Sequence, residues 1–142
     1  MHVRPRLSAI AAFALSCLAA FCGLAGEPAA QAAAPPAPNA APDLARGKRL
    51  FLQCRACHEL MAGEPHKVGP NLHGVFGTRA ASAPDFQFSA ALQKSGITWN
   101  EQTMDAWLAR PTDLVPGTIM AYAGMPNAAD RRALIAWLAA ET

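Results

Sequence analysis

The chain has 142 residues and a formal net charge of +2, with only 15% of its residues charged. That length allows one ordinary domain and little else. So weak a charge excludes the basic footprint of a nucleic-acid-binding protein.

Arg4 and Arg6 form a basic start, and an uncharged, alanine-rich stretch from Leu7 to Gly26 follows them. Such a run has no polar face, so it cannot bury one side selectively in a core. With small residues around Ala25 and Ala30, residues 1–26 read as an export signal. Leu7 to Gly26 also has the length of a bilayer span, so an uncleaved anchor is the second reading. Cys17 and Cys22 lie within it, and Phe21 before Cys22 argues against a lipoprotein site. Residues 27–42 are rich in Ala and Pro (Ala32-Ala33-Ala34-Pro35-Pro36-Ala37-Pro38). Such a segment buries too little apolar surface to offset its ordering entropy, and it reads as a linker. The domain is then 43–142, a small core that benefits from a staple such as a buried cofactor.

Asp43 is a plausible N-cap for a helix carrying Leu44, Gly47, Leu50 and Phe51 at helical spacing and running into Cys54. Gly47 shares a face with Phe51; as a poor helix former, it suggests the close approach of another helix. His58 to Ala83 reads as loop, punctuated by Gly63, Pro65, Gly69, Pro70, Gly74 and Gly77. Ser89 caps a short helix to Ser95, stopped by Gly96. Asn100 caps another with Met104, Trp107 and Leu108 on one face, and Pro111 forces its end. Val115 to Pro126 is again loop. Asn127 caps a last helix with the stripe Leu134, Ile135, Trp137 and Leu138. No segment alternates with period two for long enough to make a strand. The expected domain is all-α, with short helices and long loops that need a partner to pack against.

The chemistry lies in Cys54-Arg55-Ala56-Cys57-His58. Positions three apart on a helical turn face the same way, so two thiols can add across the two vinyl groups of a haem while the adjacent imidazole ligates the iron. This is the attachment signature of c-type haem. A disulfide between the two cysteines competes in an oxidising compartment. Zinc would need two further ligands, and no second cysteine pair exists in the domain. A thioredoxin-like redox pair would need a βαβ setting that is missing.

With His58 on one side of the iron, the other axial ligand comes from far along the chain. Met61 is too close to the attachment site, Met104 falls on an apolar stripe, and His66 and His73 follow too soon after His58. Met120 and Met125 remain, both in the late loop. Pro116-Gly117-Thr118 before Met120 supplies turn chemistry that can fix the loop's path.

Three runs resemble class I c-type cytochromes, particularly the mitochondrial cytochrome c and bacterial cytochrome c2 branch. They are Lys67-Val68-Gly69-Pro70-Asn71-Leu72-His73-Gly74-Val75-Phe76-Gly77, Ser95-Gly96-Ile97-Thr98-Trp99-Asn100 and Pro116-Gly117-Thr118-Ile119-Met120. The resemblance spans essentially all of Asp43 to Thr142. It implies the class I cytochrome c fold, with short helices and long loops wrapped around one covalent haem c and with crossing N- and C-terminal helices. It implies Met120 as distal ligand, a Pro70 carbonyl accepting from the His58 ring, and Trp99 on a haem propionate. Gly47 and Phe51 would cross Leu134 and Trp137, and His66 would bridge loops.

His/Met ligation raises the reduction potential and leaves no open iron position, so the expected protein is an electron carrier and not an enzyme. The implied partners are a quinol–cytochrome c reductase and a terminal oxidase or reductase, met by a monomer in the periplasm or tethered through residues 7–26. Two other readings are a gas-binding or peroxidatic haem protein, which needs an open iron, and a haem subunit of a larger redox enzyme.

The chain departs from the family at several positions. Trp107 and Phe88 replace tyrosines, Leu92 replaces a polar residue, and Thr78 stands where arginine is usual, with Arg79 adjacent. Ile119 replaces a lysine. Lys48, Lys67 and Lys94 are the only lysines, so the lysine ring that steers family members to acidic partners is largely missing. Docking that leans on apolar contact, with weak salt dependence, is expected. In the family, alkaline pH lets a lysine of the methionine loop displace the sulfur. Arginine stays protonated and cannot do this, so the switch should be delayed here.

Overall fold

Asp43 opens the first helix, accepting from the Arg46 N–H at 2.8 Å, and α1 runs Leu44–Phe51. The computed structural model describes residues 41–142. The expected export signal or anchor, 1–26, lies outside the described residues, as does nearly all of the linker at 27–42. No helix among the described residues is long and apolar enough to cross a membrane.

Four further helices follow: α2 Ala90–Lys94, α3 Glu101–Ala109, α4 Pro111–Leu114 and α5 Ala128–Glu141. Ser89, Asn100 and Asn127 cap α2, α3 and α5 through their side chains. At Asn100 the cap is reciprocal. Its side chain accepts from the Thr103 N–H while the Thr103 hydroxyl accepts from the Asn100 N–H, both at 2.9 Å. Two orphan backbone donors are thereby satisfied. Among the described residues the only β pairing is an isolated bridge between Arg79 and Thr98. The fold is all-α, as expected.

α1 crosses α5 at Gly47. A Cβ there would stand 2.6 Å from the Trp137 Cβ and closer still to the Ala133 carbonyl oxygen. Only glycine lets the two backbones meet. Phe51 stacks beside Trp137, ring centroids 5.1 Å apart, and Arg46 pairs with Asp130 across the same crossing. Met104, Trp107 and Leu108 of α3 join Leu134, Ile135, Trp137 and Leu138 of α5 in one buried cluster.

The structure departs from the sequence reading in two places. Pro111 ends α3 as expected, but it also begins α4, a short helix that is not among the expected elements. Proline suits a first helical position because the N–H it lacks would be an orphan there. α1 closes at Phe51 and does not run as regular helix to Cys54. The chain continues through turns in which the Cys54 and Arg55 N–H groups donate to the Phe51 carbonyl at 2.8 and 3.0 Å.

Candidate functional site

The attachment segment is a tight turn. The N–H groups of Cys57 and His58 both donate to the Cys54 carbonyl oxygen, at 3.0 and 2.9 Å. Cys54 and Cys57 are free thiols. Burial, and then its neighbour Cys57, push the Cys54 thiol up to about 11.

The following loop folds back on this turn. The Gly69 N–H donates to the Cys57 carbonyl and the Leu72 N–H to the Glu59 carbonyl, both at 2.8 Å. That places Pro70 beside the imidazole: His58 Nδ1 lies 2.8 Å from the Pro70 carbonyl oxygen. A carbonyl only accepts, so Nδ1 carries the proton and Nε2 keeps its lone pair. Burial holds His58 below the ordinary histidine value, more than the Pro70 hydrogen bond raises it, and the Lys67 cation adds to the lowering. A neutral imidazole with one free nitrogen is a metal ligand's form. Gly69 makes the geometry possible, since a Cβ there would sit 2.8 Å from both ring nitrogens.

His66 ties the loop together. Its Nε2 lies 2.7 Å from the Pro84 carbonyl and its Nδ1 accepts from the Asn71 N–H at 2.9 Å. His66 is thus a loop bridge, as the resemblance implied.

The turn, the loops and the helices enclose an apolar cavity of about 360 Å³, within the range that holds small molecules and cofactors. Cys54, Cys57, His58, Pro70, Trp99 and Met120 all stand on its wall. Met125 does not. It is buried in the core cluster, and its N–H donates to the Leu108 carbonyl at 2.7 Å. Met104, read as core, is buried and also reaches the wall. Trp99 packs edge-on against Trp107, centroids 5.5 Å apart.

Further residues line the wall or support it. Among the described residues Arg79 is the one lysine or arginine on the wall. Its loop is held against Thr98 by hydrogen bonds from Ala80 N–H to the Ile97 carbonyl and from Trp99 N–H to the Thr78 carbonyl, each 2.8 Å. Thr78 turns back on its own loop, donating to the Val75 carbonyl at 2.7 Å. Tyr122, the only tyrosine, also lines the cavity. Its hydroxyl is pushed up by burial and then by nearby Cys54. Its place two residues after Met120 was the available clue.

An apolar cavity with two thiols, an imidazole presenting one free nitrogen, a thioether and, among the described residues, a single cation fits a haem. The macrocycle would lie against the apolar wall, and its carboxylates would meet the cation.

No family model matches the chain. It is 41% identical over 102 residues to cytochrome c2 of Rhodomicrobium vannielii, a match covering 72% of this chain and 82% of that one. It is 40% identical to cytochrome c of Kluyveromyces lactis over 104 residues, covering 72% of this chain and 94% of the other. Among solved structures it is similar to cytochrome cH from Methylobacterium extorquens, with a TM-score of 0.65 and 40% identity, over 69% of this chain and 98% of that one.

Proposed function

Because the chain belongs to the class I c-type cytochromes, electron carriers with a covalent haem c and not enzymes, we propose that it shuttles single electrons between a quinol-oxidising complex and a terminal oxidase or reductase. The observation that carries this reading is the pairing of His58 Nε2, left free by the Nδ1 contact with Pro70, with the Met120 thioether on the same cavity wall. A bound haem supplies a one-electron iron couple.

The chain's own residues do the rest. Cys54 and Cys57 hold the group through thioether bonds. His58 and Met120 would both hold the iron, leaving no position for substrate. Pro70 fixes the imidazole tautomer, a contact of the kind that orients metal ligands. A neutral thioether is a weak donor and favours the reduced state, and the apolar wall adds to this by disfavouring charge. Trp99 would donate to one propionate, and Arg79 would take the place that Thr78 leaves. The domain works in the periplasm, reached through the export signal at 1–26 or held at the membrane by that segment and the linker at 27–42.

The test is turnover. Reduced holoprotein added to respiratory membranes should be oxidised by their terminal oxidase and reduced again when quinol is supplied. Oxidation by peroxide alone, with multiple turnovers and no membrane, would instead support the peroxidatic reading.

A further inference from the structure

Val68 and Ile119 are the two most exposed large apolar side chains among the described residues, at 83% and 70%. Single exposed apolar residues are ordinary on a protein surface. These two both stand on the wall of the one cavity just described. Val68 precedes Gly69, whose backbone lies against the His58 ring, and Ile119 precedes Met120. Two loops, one from each ligand's neighbourhood, thus bring an apolar side chain to the cavity's rim, where exposed Gln53 and Ala121 join them.

The one lysine beside this rim is already paired. Lys67, next to Val68, pairs with Glu59 at 3.0 Å, and its ammonium donates to the backbone carbonyls of Arg55 and His58 at 3.2 and 3.4 Å. Arg55 is exposed but off the wall. Arg79 is the one cation on the wall among the described residues, and its backbone is bridged to Thr98.

We propose that Val68 and Ile119 form a docking collar whose redox partners present an uncharged, apolar landing face, not an acidic cluster. This rests on the electron-carrier reading above. Electron-transfer encounters are among the smallest protein interfaces, so two fully presented apolar side chains are a large share of the contact. A free lysine ring would reward an acidic partner; a collar whose lysine is tied to its own glutamate does not.

A second copy of this chain presents the same uncharged, apolar face and is the defined probe. When a reduced and an oxidised copy meet, one electron leaves the first and enters the second. The pair is unchanged overall, and no other reagent is consumed. The experiment measures this exchange on holoprotein by NMR exchange spectroscopy, from about 0.01 M salt, where the Debye length is about 30 Å, to about 1 M, where it is about 3 Å. Wild-type exchange should vary less than about threefold across that range. The double variant Val68→Lys, Ile119→Lys should exchange at least about tenfold more slowly at low salt and recover at high salt. Val68→Asp, Ile119→Asp should behave alike. A reduced Lys variant mixed with an oxidised Asp variant should regain the lost rate, which damage to the fold could not do.

Like-charged Lys pairs exchanging as fast as wild type at low salt would overturn the proposal. So would mixed pairs as slow as the like pairs, or a steep rise of the wild-type rate with salt. Carbon monoxide separates the two failures. Ferrous protein that binds it sinks the carrier reading, whereas indifference to it with unaffected Lys pairs sinks only the collar.

Discussion

Arg131 grips Asp105 with two parallel hydrogen bonds, Nε to Oδ1 at 2.8 Å and Nη2 to Oδ2 at 3.2 Å. The same guanidinium donates from Nη1 to the carbonyls of Met125 and Pro126, at 2.8 and 3.0 Å. One side chain of α5 thereby fastens α3 and the end of the loop that carries Met120. Two-pronged arginine–carboxylate pairs are among the stronger hydrogen-bonded contacts.

Replacing Arg131 by Ala should cost about 2 kcal/mol, seen as a lower denaturant midpoint with an unchanged slope. The weak far-red methionine–iron band of the ferric protein should vanish before global unfolding. Arg131→Lys keeps the charge but not the fork, so it should lose part of this stability and the same early signal. A Lys variant indistinguishable from wild type would show that the fork does not anchor the loop.

Gly69→Ala makes a different demand. A Cβ 2.8 Å from both nitrogens of His58 forces either ring or loop to move. Overpacking of this kind costs about 1–3 kcal/mol. Because the displaced group is the ring itself, the ferric spectrum should change at denaturant concentrations where the protein is still folded. Loss of stability with an unaltered spectrum would mean that the loop yields and the imidazole does not.

Much of this architecture is legible in the residues, and what is legible is local. Asp43, Ser89, Asn100 and Asn127 announce helix starts because a cap acts on the backbone two or three residues ahead. Cys54, Cys57 and His58 announce an attachment turn for the same reason. Gly47 hints at a crossing because glycine inside a helix has a cost that packing must offset. The pairs Arg131 with Asp105 and Lys67 with Glu59 are invisible in advance. Exposed charges are common, and nothing in their spacing says which distant residue each will meet. α4 escaped because Pro111 reads equally as an end and as a start.

The Glu59 carboxyl is held below the ordinary glutamate value by the Leu60 N–H, at 2.9 Å, and then by Lys67. A depressed acid contributes stability above its unfolded value and loses it as pH falls through its folded one. The pair therefore survives at neutral pH and breaks only in acid, below the ordinary glutamate range, releasing the Lys67 cation beside Val68. Exchange between copies should be flat with pH above that range and slower below it at low salt. Glu59→Gln should reproduce the slowing at neutral pH, by about twofold to threefold at low salt, and high salt should abolish it. Equal rates for Glu59→Gln and wild type would detach Lys67 from the docking face.

At the alkaline end, the segment from Val115 to Asn127 holds no lysine, and no lysine follows Lys94. Lys67 is engaged with Glu59 on the His58 side of the cavity. The far-red band should therefore persist to higher pH in wild type than in Ile119→Lys, which restores an amine next to Met120. Coincident titrations of the two proteins would mean that the switch does not depend on a loop lysine.

The central claim is that His58 and Met120 both hold the iron and leave it closed. The direct measurement is the visible spectrum of holoprotein, ferric and ferrous, followed by carbon monoxide, for wild type, Met120→Ala and Met125→Ala. Wild type and Met125→Ala should show the far-red band when ferric and ignore carbon monoxide when ferrous, whereas Met120→Ala should lose the band and bind the gas. A wild-type ferrous protein that takes up carbon monoxide readily, or a band that survives in Met120→Ala and disappears in Met125→Ala, would contradict the account.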